Sequence, residues 1–190
     1  MARHAFYTTF EISQICGVNP TTVQNWVKGK KLRAFQTPGG HRRVRREDLI
    51  LFMKEFGMPL PAELLQSPPL VLIVDDEGDI LDMLESLMKS GEDEVRVAKA
   101  QNGVDALVMI GENKPELLIL DIMMPGMNGY EVCKKLKSSP STQNIKIVAI
   151  SGDHNPAVRE RILHSGADLF FTKPLEIVGF REQCFQLLRQ

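Results

Sequence analysis

At 190 residues the chain has room for one or two domains. Its 43% hydrophobic and 25% charged residues are those of an ordinary soluble globular protein. No apolar run approaches the roughly 20 residues that span a bilayer, which argues against a membrane protein. The net charge of −1 hides an asymmetry: residues 1–66 hold ten Lys/Arg against five Asp/Glu, and residues 67–190 hold thirteen against nineteen. A basic first third joined to an acidic remainder suits two domains with different partners. MARHAFYTTF lacks the apolar segment of a secretory signal, so a cytoplasmic protein is expected. Cys16, Cys133 and Cys184 are odd in number and widely spaced, and read as reduced thiols rather than a disulfide or zinc framework.

In chain order, Thr8-Thr9-Phe10-Glu11 is a capping box that opens a helix with Ile12, Ile15 and Cys16 inward, closed by Gly17. Asn19-Pro20 starts another, with Asn19 as a side-chain cap, Pro20 in the first turn and Val23, Trp26 and Val27 buried. Two short helices joined by a Gly-containing turn make a helix-turn-helix. The second helix would expose Thr21, Thr22, Gln24, Asn25 and Lys28 toward base edges. Two extended stretches flanking Pro38-Gly39-Gly40 then predict a β-hairpin. His41, Arg42, Arg43, Arg45 and Arg46 crowd its tip and return strand, with Lys28, Lys30 and Lys31 nearby. Beside a recognition-type helix such a run points to DNA phosphates rather than to a merely solvated face.

After the helical pattern Leu49, Ile50, Phe52, Met53, Phe56 comes GMPLPAELLQSPP, whose four prolines block helix continuation. A first domain over 1–57, a linker over 58–69 and a second domain over 70–190 are expected. The second alternates short apolar runs (LVLIV, EVRVA, ELLIL, KIVAI, LFF) with helical periodicity. Examples of the latter are Ile80, Leu81, Leu84, Leu87, Met88 and Ile177, Phe180, Cys184, Leu187, Leu188. Strands apolar throughout are buried on both faces, so the fold class is α/β: a doubly wound five-stranded parallel sheet.

Four of the five strands end in chemistry: LVLIV runs into Asp75-Asp76, ELLIL into Asp121, KIVAI into Ser151 and LFFT into Lys173. In the order 2-1-3-4-5 those four strands are neighbours, and ligands bind beyond the carboxyl ends of such strands. Three carboxylates cannot all stay ionised within a few ångströms unless cations compensate. Lys173 supplies one charge, and the rest suits Mg2+, a hard ion that takes oxygen ligands. A carboxylate beside such an ion can attack phosphorus, with Ser151 and Lys173 holding the phosphoryl oxygens.

Residues 70–190 resemble a two-component receiver domain over their whole length, on VDDE (74–77), LDIMMPGMNG (120–129), AISG (149–152) and TKP (172–174). The resemblance implies a flavodoxin-like fold and a phosphoryl group accepted on Asp121 from a sensor histidine kinase. Asp76 matches the direct Mg2+ ligand, Asp75 the acid that reaches the ion through water, and the backbone carbonyl of Met123 completes the metal site. Ser151 and Lys173 match the family's hydroxyl and lysine, Phe170 its aromatic switch, and the Lys173–Pro174 bond is implied to be cis. Met123, an apolar side chain unable to orient water, implies slow hydrolysis. Residues 6–56 resemble the winged DNA-binding domain of MerR and excisionase-like regulators, on YTTFEISQICGVNPTTVQNWVKGKKL and TPGGHRRVRREDL. After residue 57 neither the long dimerisation helix nor the cysteine metal-sensing loop of MerR proper follows.

Together these imply a phosphorylation-dependent transcription regulator of double-stranded DNA that is not an enzyme beyond its own phosphorylation and dephosphorylation. Pairing as a homodimer on phosphorylation or on DNA is expected through residues 156–190, on inverted or direct half-sites. Three rivals differ in testable ways. A docking adaptor would leave the basic wing unused. An aspartate-nucleophile phosphatase would place a second acid where Met123 stands. An excisionase-like DNA-bending protein would leave the receiver unexplained.

Overall fold

In the computed structural model, which describes residues 5–91 and 93–190, the Thr8–Glu11 capping box forms as the sequence predicts. Glu11 N–H donates to Thr8 Oγ1 (3.1 Å) and Thr8 N–H to Glu11 Oε2 (2.7 Å), opening helix α1 (Thr9–Cys16). Gly17 closes it in the left-handed conformation, φ 64°. Helix α2 (Pro20–Lys28) follows, but Asn19 does not cap it with its side chain. Pro20, with φ already fixed for the helix, starts the turn, and Asn19 contributes only its carbonyl, which accepts from Thr22 N–H at 2.9 Å.

The hairpin pairs β2 (Phe35–Gln36) with β3 (Arg42–Arg45), antiparallel. Its tip closes by Gly40 N–H donating to the Thr37 carbonyl (2.8 Å), with Gly40 at φ 79°, a conformation that favours glycine. The sequence did not predict a third strand, β1 (Phe6–Tyr7), on the other edge of β3. Two residues are too few to show a period of two. Helix α3 (Arg46–Glu55) completes the motif.

The described residues form two compact units, residues 5–68 with 91 and 93–94, and residues 69–90 with 95–190, so the expected second domain of 70–190 is interrupted by a short stretch that groups with the first unit; residues 1–4 of the first expected domain lie outside the described residues. The expected linker, 58–69, is only partly a linker. Met58 and Leu60 pack against the first unit's core, and a short helix α4 (Ala62–Leu65) inserts Leu64, 2% exposed, among Tyr7, Ile12, Val23, Val44, Leu49, Phe52 and Met53. Arg46 pins α4 by donating to the Leu64 (2.7 Å) and Gln66 (2.6 Å) carbonyls. Proline spacing marks where a helix cannot continue, but leaves open whether the next segment packs.

The second unit is the doubly wound sheet: β4 (Leu70–Val74), β5 (Arg96–Ala100), β6 (Leu117–Asp121), β7 (Lys146–Ser151) and β8 (Leu169–Thr172), all parallel, in the order β5-β4-β6-β7-β8. Helices α5 (Gly78–Lys89) and α9 (Ile177–Leu188) cover one face through Leu81, Leu84, Met88, Phe180 and Cys184. Helices α6 (Gly103–Asn113), α7 (Gly129–Ser138) and α8 (Pro156–His164) cover the other through Ala106, Ile110, Val132, Cys133, Leu136 and Ile162. Every residue of β4 and β6 is buried, as two-sided coverage demands. Ile177 departs from the expected buried face: it stands exposed in the first turn of α9, and the packed stripe begins one turn later at Phe180.

All three cysteines are free thiols. Burial pushes the Cys133 and Cys184 thiols up to about 12, against small opposing effects of Lys137 and Arg181. No helix of the described residues is long and apolar enough to cross a membrane.

The packed α4 has a measurable consequence. Leu64→Ala should lower the stability of the first unit by about 2 kcal/mol or more, as a cavity in a small core, read from denaturant unfolding with Trp26 as the fluorescence probe. A change within error would mean that α4 is a passive tether.

Candidate functional site

Three carboxylates meet beyond the carboxyl ends of β4 and β6. Ligating oxygens of Asp75, Asp76 and Asp121 all lie within 4.8 Å of one another. Asp75 is 1% and Asp121 5% exposed, whereas Asp76 faces solvent. Lys173, delivered from the end of β8, bridges the two buried acids: its Nζ donates to Asp75 Oδ2 and Asp121 Oδ2, each at 2.8 Å. Its peptide bond to Pro174 is cis. One short turn then satisfies a second oxygen of each carboxylate. Glu77 N–H donates to Asp75 Oδ1 and Met123 N–H to Asp121 Oδ1, both at 3.0 Å.

Desolvation raises the Asp75 carboxyl above its usual range, against the opposing hydrogen bonds from Lys173 and Glu77 N–H. For Lys173 desolvation is the largest single effect and pulls downward, but the hydrogen bonds and negative charges of Asp121 and Asp75 together outweigh it and leave the ammonium above its ordinary value. Three carboxylates against one bridging ammonium leave two negative charges uncompensated, a donor set of hard oxygens suited to a divalent cation.

Ser151 ends β7, one strand from Asp121, where the register pairs Asp121 with Ile150. It is fully buried and its Oγ accepts from Asp153 N–H at 3.0 Å. Phe170, on β8, is half-buried and packs against the cluster under α6, α7 and α8. Met123 exposes its side chain (60%). The structure thus brings Asp75, Asp76, Asp121 and Lys173 together, with Ser151 on the next strand.

Two supports were legible only as part of the PGMNG run. Asn128 caps α7 in a reciprocal box with Glu131. Gly129 lies so close beneath the site that a Cβ there would meet the Asp121 carbonyl and Ile122 Cα, each at 2.8 Å. Glu77 closes the VDDE run but was assigned no role from the sequence, and its Oε1 lies 3.9 Å from Lys173 Nζ.

The first unit presents the expected DNA-facing residues on its surface. Thr21, Gln24, Asn25 and Lys28 are exposed on α2 at i, i+3, i+4 and i+7, one helical face. Thr22 and Arg43 are half-buried, and Lys30, Lys31, His41, Arg42 and Arg45 are exposed. Lys30 adopts φ 57°, a left-handed conformation uncommon for a lysine.

The profile of the response regulator receiver domain matches residues 71–183. The chain belongs to that family. A helix-turn-helix domain profile matches residues 6–56, covering α1, α2, the wing and α3. The receiver is similar to response regulator PleD of Caulobacter vibrioides, 38% identical over 108 residues, 57% of this chain and 23% of that protein. It is also similar to transcriptional regulatory protein AfsQ1 of Streptomyces coelicolor, 36% identical over 109 residues, 57% of this chain and 46% of that protein. The chain therefore spans less than half the length of both curated relatives. Among solved structures it is similar to the signal receiver domain of a DNA binding response regulator protein (merR) from Colwellia psychrerythraea 34H. That likeness has TM-score 0.59 and 31% identity, over 64% of this chain and 98% of that one.

Gly129→Ala tests how tightly the receiver site is built. Its extra methyl has only backbone to displace, so overpacking should cost about 1–3 kcal/mol and shift the Asp121 resonances in an NMR spectrum. An unperturbed site with wild-type stability would mean that the close approach relaxes freely.

Proposed function

We propose that this chain is a phosphorylation-switched, sequence-specific DNA-binding regulator of transcription, with Asp121 as the phosphoacceptor. The observation that carries this reading is the buried Asp121 carboxylate, neutralised on one oxygen by Lys173 and flanked by two further acids. A bound Mg2+ would be held by Asp76 and Asp121, the Met123 carbonyl and, through water, Asp75. When bound it supplies positive charge that offsets the incoming phosphoryl oxygens.

A carboxylate oxygen of Asp121 attacks phosphorus of a phosphohistidine on a sensor kinase. The new O–P bond forms as the P–N bond breaks, and the histidine ring, protonated beforehand on its other nitrogen, takes the bonding electron pair and leaves as neutral imidazole. Lys173 shifts from bridging two carboxylates to holding a phosphoryl oxygen. The Ser151 hydroxyl donates to another, giving up its contact with Asp153 N–H. The inward-packed Phe170 ring responds to that movement as the switch. The Met123 side chain offers no hydrogen bond to an attacking water, so the acyl phosphate should last many minutes or longer. The receiver then catalyses only its own phosphorylation and dephosphorylation, and turns over no external substrate.

The added charge of roughly −1.5 to −2 shifts a pre-existing equilibrium between two receiver conformations. Carrying it from 1:99 to 99:1 takes about 5.5 kcal/mol of differential stabilisation. The output is double-stranded DNA, read by Thr21, Thr22, Gln24, Asn25 and Lys28 and clamped through phosphates by Lys30, Lys31, His41, Arg42, Arg43 and Arg45. The similarity of the receiver to the transcriptional regulatory protein AfsQ1 supports this. One recognition helix reads only a few base pairs, too little to stand out among ~10⁶ or more competing sites. Two copies of the chain therefore act together on DNA, and kinase and DNA as partners place the protein in the cytoplasm.

Asp121→Asn should abolish labelling by acetyl phosphate while circular dichroism stays unchanged. Stable Mg2+-dependent labelling in that variant would move the phosphoacceptor elsewhere. For the wing, Arg42→Glu with Arg43→Glu should weaken binding to all DNA sequences and flatten the salt dependence by about 0.9 in the log–log slope per lost phosphate contact. Unchanged affinity in a salt titration would remove the wing from the interface.

A further inference from the structure

The outward face of α3 carries a charge pattern that the DNA-binding reading does not use. Glu47, Leu51 and Lys54 fall at i, i+4 and i+7, one stripe of the helix, and all three are exposed. Leu51 is 62% exposed, while its neighbours Leu49, Phe52 and Met53 are buried in the core. Among the described residues Glu47 and Lys54 enter no ion pair. Seven residues of helix hold them about 10 Å apart along the axis, too far to pair with each other. An acid at the start of a stripe, an apolar residue at its middle and a base at its end is self-complementary in one way only. An antiparallel copy of the same helix sets Ile50 and Leu51 against their equivalents and brings each Glu47 to the Lys54 of the other chain. A two-fold contact requires such a self-matching patch. The helix dipoles agree, because each Lys54 sits near a C-terminus and each Glu47 near an N-terminus. A polyanion is a poor occupant, since Glu47 and Asp48 line the first turn.

We propose that α3 is a symmetric contact between the DNA-binding units of two copies of this chain, and that it selects inverted half-sites. This rests on the reading that two copies act together on DNA. One helix stripe falls well short of the roughly 1,000 Å2 that a stable free interface buries. The contact therefore acts where DNA or the receivers already hold two chains at high effective concentration.

The test uses the full chain with Leu51→Cys, in which a two-fold contact apposes the two new thiols. Wild type supplies the background from the native cysteines. Disulfide crosslinking through Cys at position 51 is timed with and without duplexes bearing inverted or direct repeats. Glu47→Lys alone and Lys54→Glu alone each set two like-charge pairs across the axis and should slow crosslinking about fivefold. The double reversal, Glu47→Lys with Lys54→Glu, restores both pairs and should recover the parent rate, although it opposes the helix dipole. Inverted repeats should accelerate crosslinking more than direct repeats. A double variant no faster than the singles overturns the proposal and leaves the stripe to a different protein partner, whatever the DNA result. Charge-dependent crosslinking in a chain that binds no DNA would leave the contact standing and sink the DNA-binding reading instead.

Discussion

Two buried carboxylates share one ammonium at the end of the receiver sheet, and the architecture around them follows from that imbalance. Asp75 and Asp121 are almost fully shielded from water, a costly place for charge unless it is hydrogen-bonded and paired. Each receives one backbone N–H and shares Lys173, yet two negative charges in the cluster remain unanswered. Such a cluster of hard carboxylate oxygens suits a divalent cation. The parallel order β5-β4-β6-β7-β8 is what lets it exist, because β4 and β6 deliver the acids side by side while β7 and β8 bring Ser151 and Lys173. The edge strand β5 delivers nothing. Gly129 lets α7 start directly beneath Asp121, where a side chain would collide with its backbone.

The first unit solves a different problem, how a small domain can hold a rigid basic surface. Its core is built on Ile12, Val23, Val44, Leu49, Phe52 and Met53, so helices and wing share one centre. Central β3 pairs on both edges, which holds the arginine-rich return strand in register. Each buried aliphatic side chain contributes roughly 1.5–3 kcal/mol, and at this size every one counts. That is why Leu64, past α3 in the proline-rich segment, is drawn into the core. Lys30 takes the left-handed conformation that ends α2, with its N–H donating to the Val27 carbonyl and Lys31 N–H to the Trp26 carbonyl, at the steric cost such backbone carries for a non-glycine residue.

Much of this was legible in the sequence because the signals are local or periodic. Apolar runs ending in Asp75, Asp121, Ser151 and Lys173 located the cluster, and a single strand order made them neighbours. The Thr8 capping box was legible for a similar reason, since both partners lie within one turn. What escaped notice depended on tertiary context. Strand β1 is too short to show alternation, and α4 packs through one leucine amid prolines. Asn19 has the composition of a cap but leaves helix initiation to Pro20, and Ile177 fits the helical period yet precedes the packed stripe. Glu77 lies near Lys173 but past the strand end, in the turn after Asp75-Asp76, so the rule that placed strand-end residues together did not reach it.

The central claim, that phosphoryl chemistry at Asp121 governs DNA recognition by the first unit, is tested most directly by DNA-site selection from a random library. The full-length protein would be used with Mg2+, in the presence and absence of beryllofluoride as the phosphoryl mimic. The account predicts enrichment of a defined sequence whose affinity changes with beryllofluoride. The same change should vanish in protein carrying Asp121→Asn. Selection of the same sequence with equal affinity in both conditions would contradict it, because the receiver would then bear no control over the domain that reads DNA.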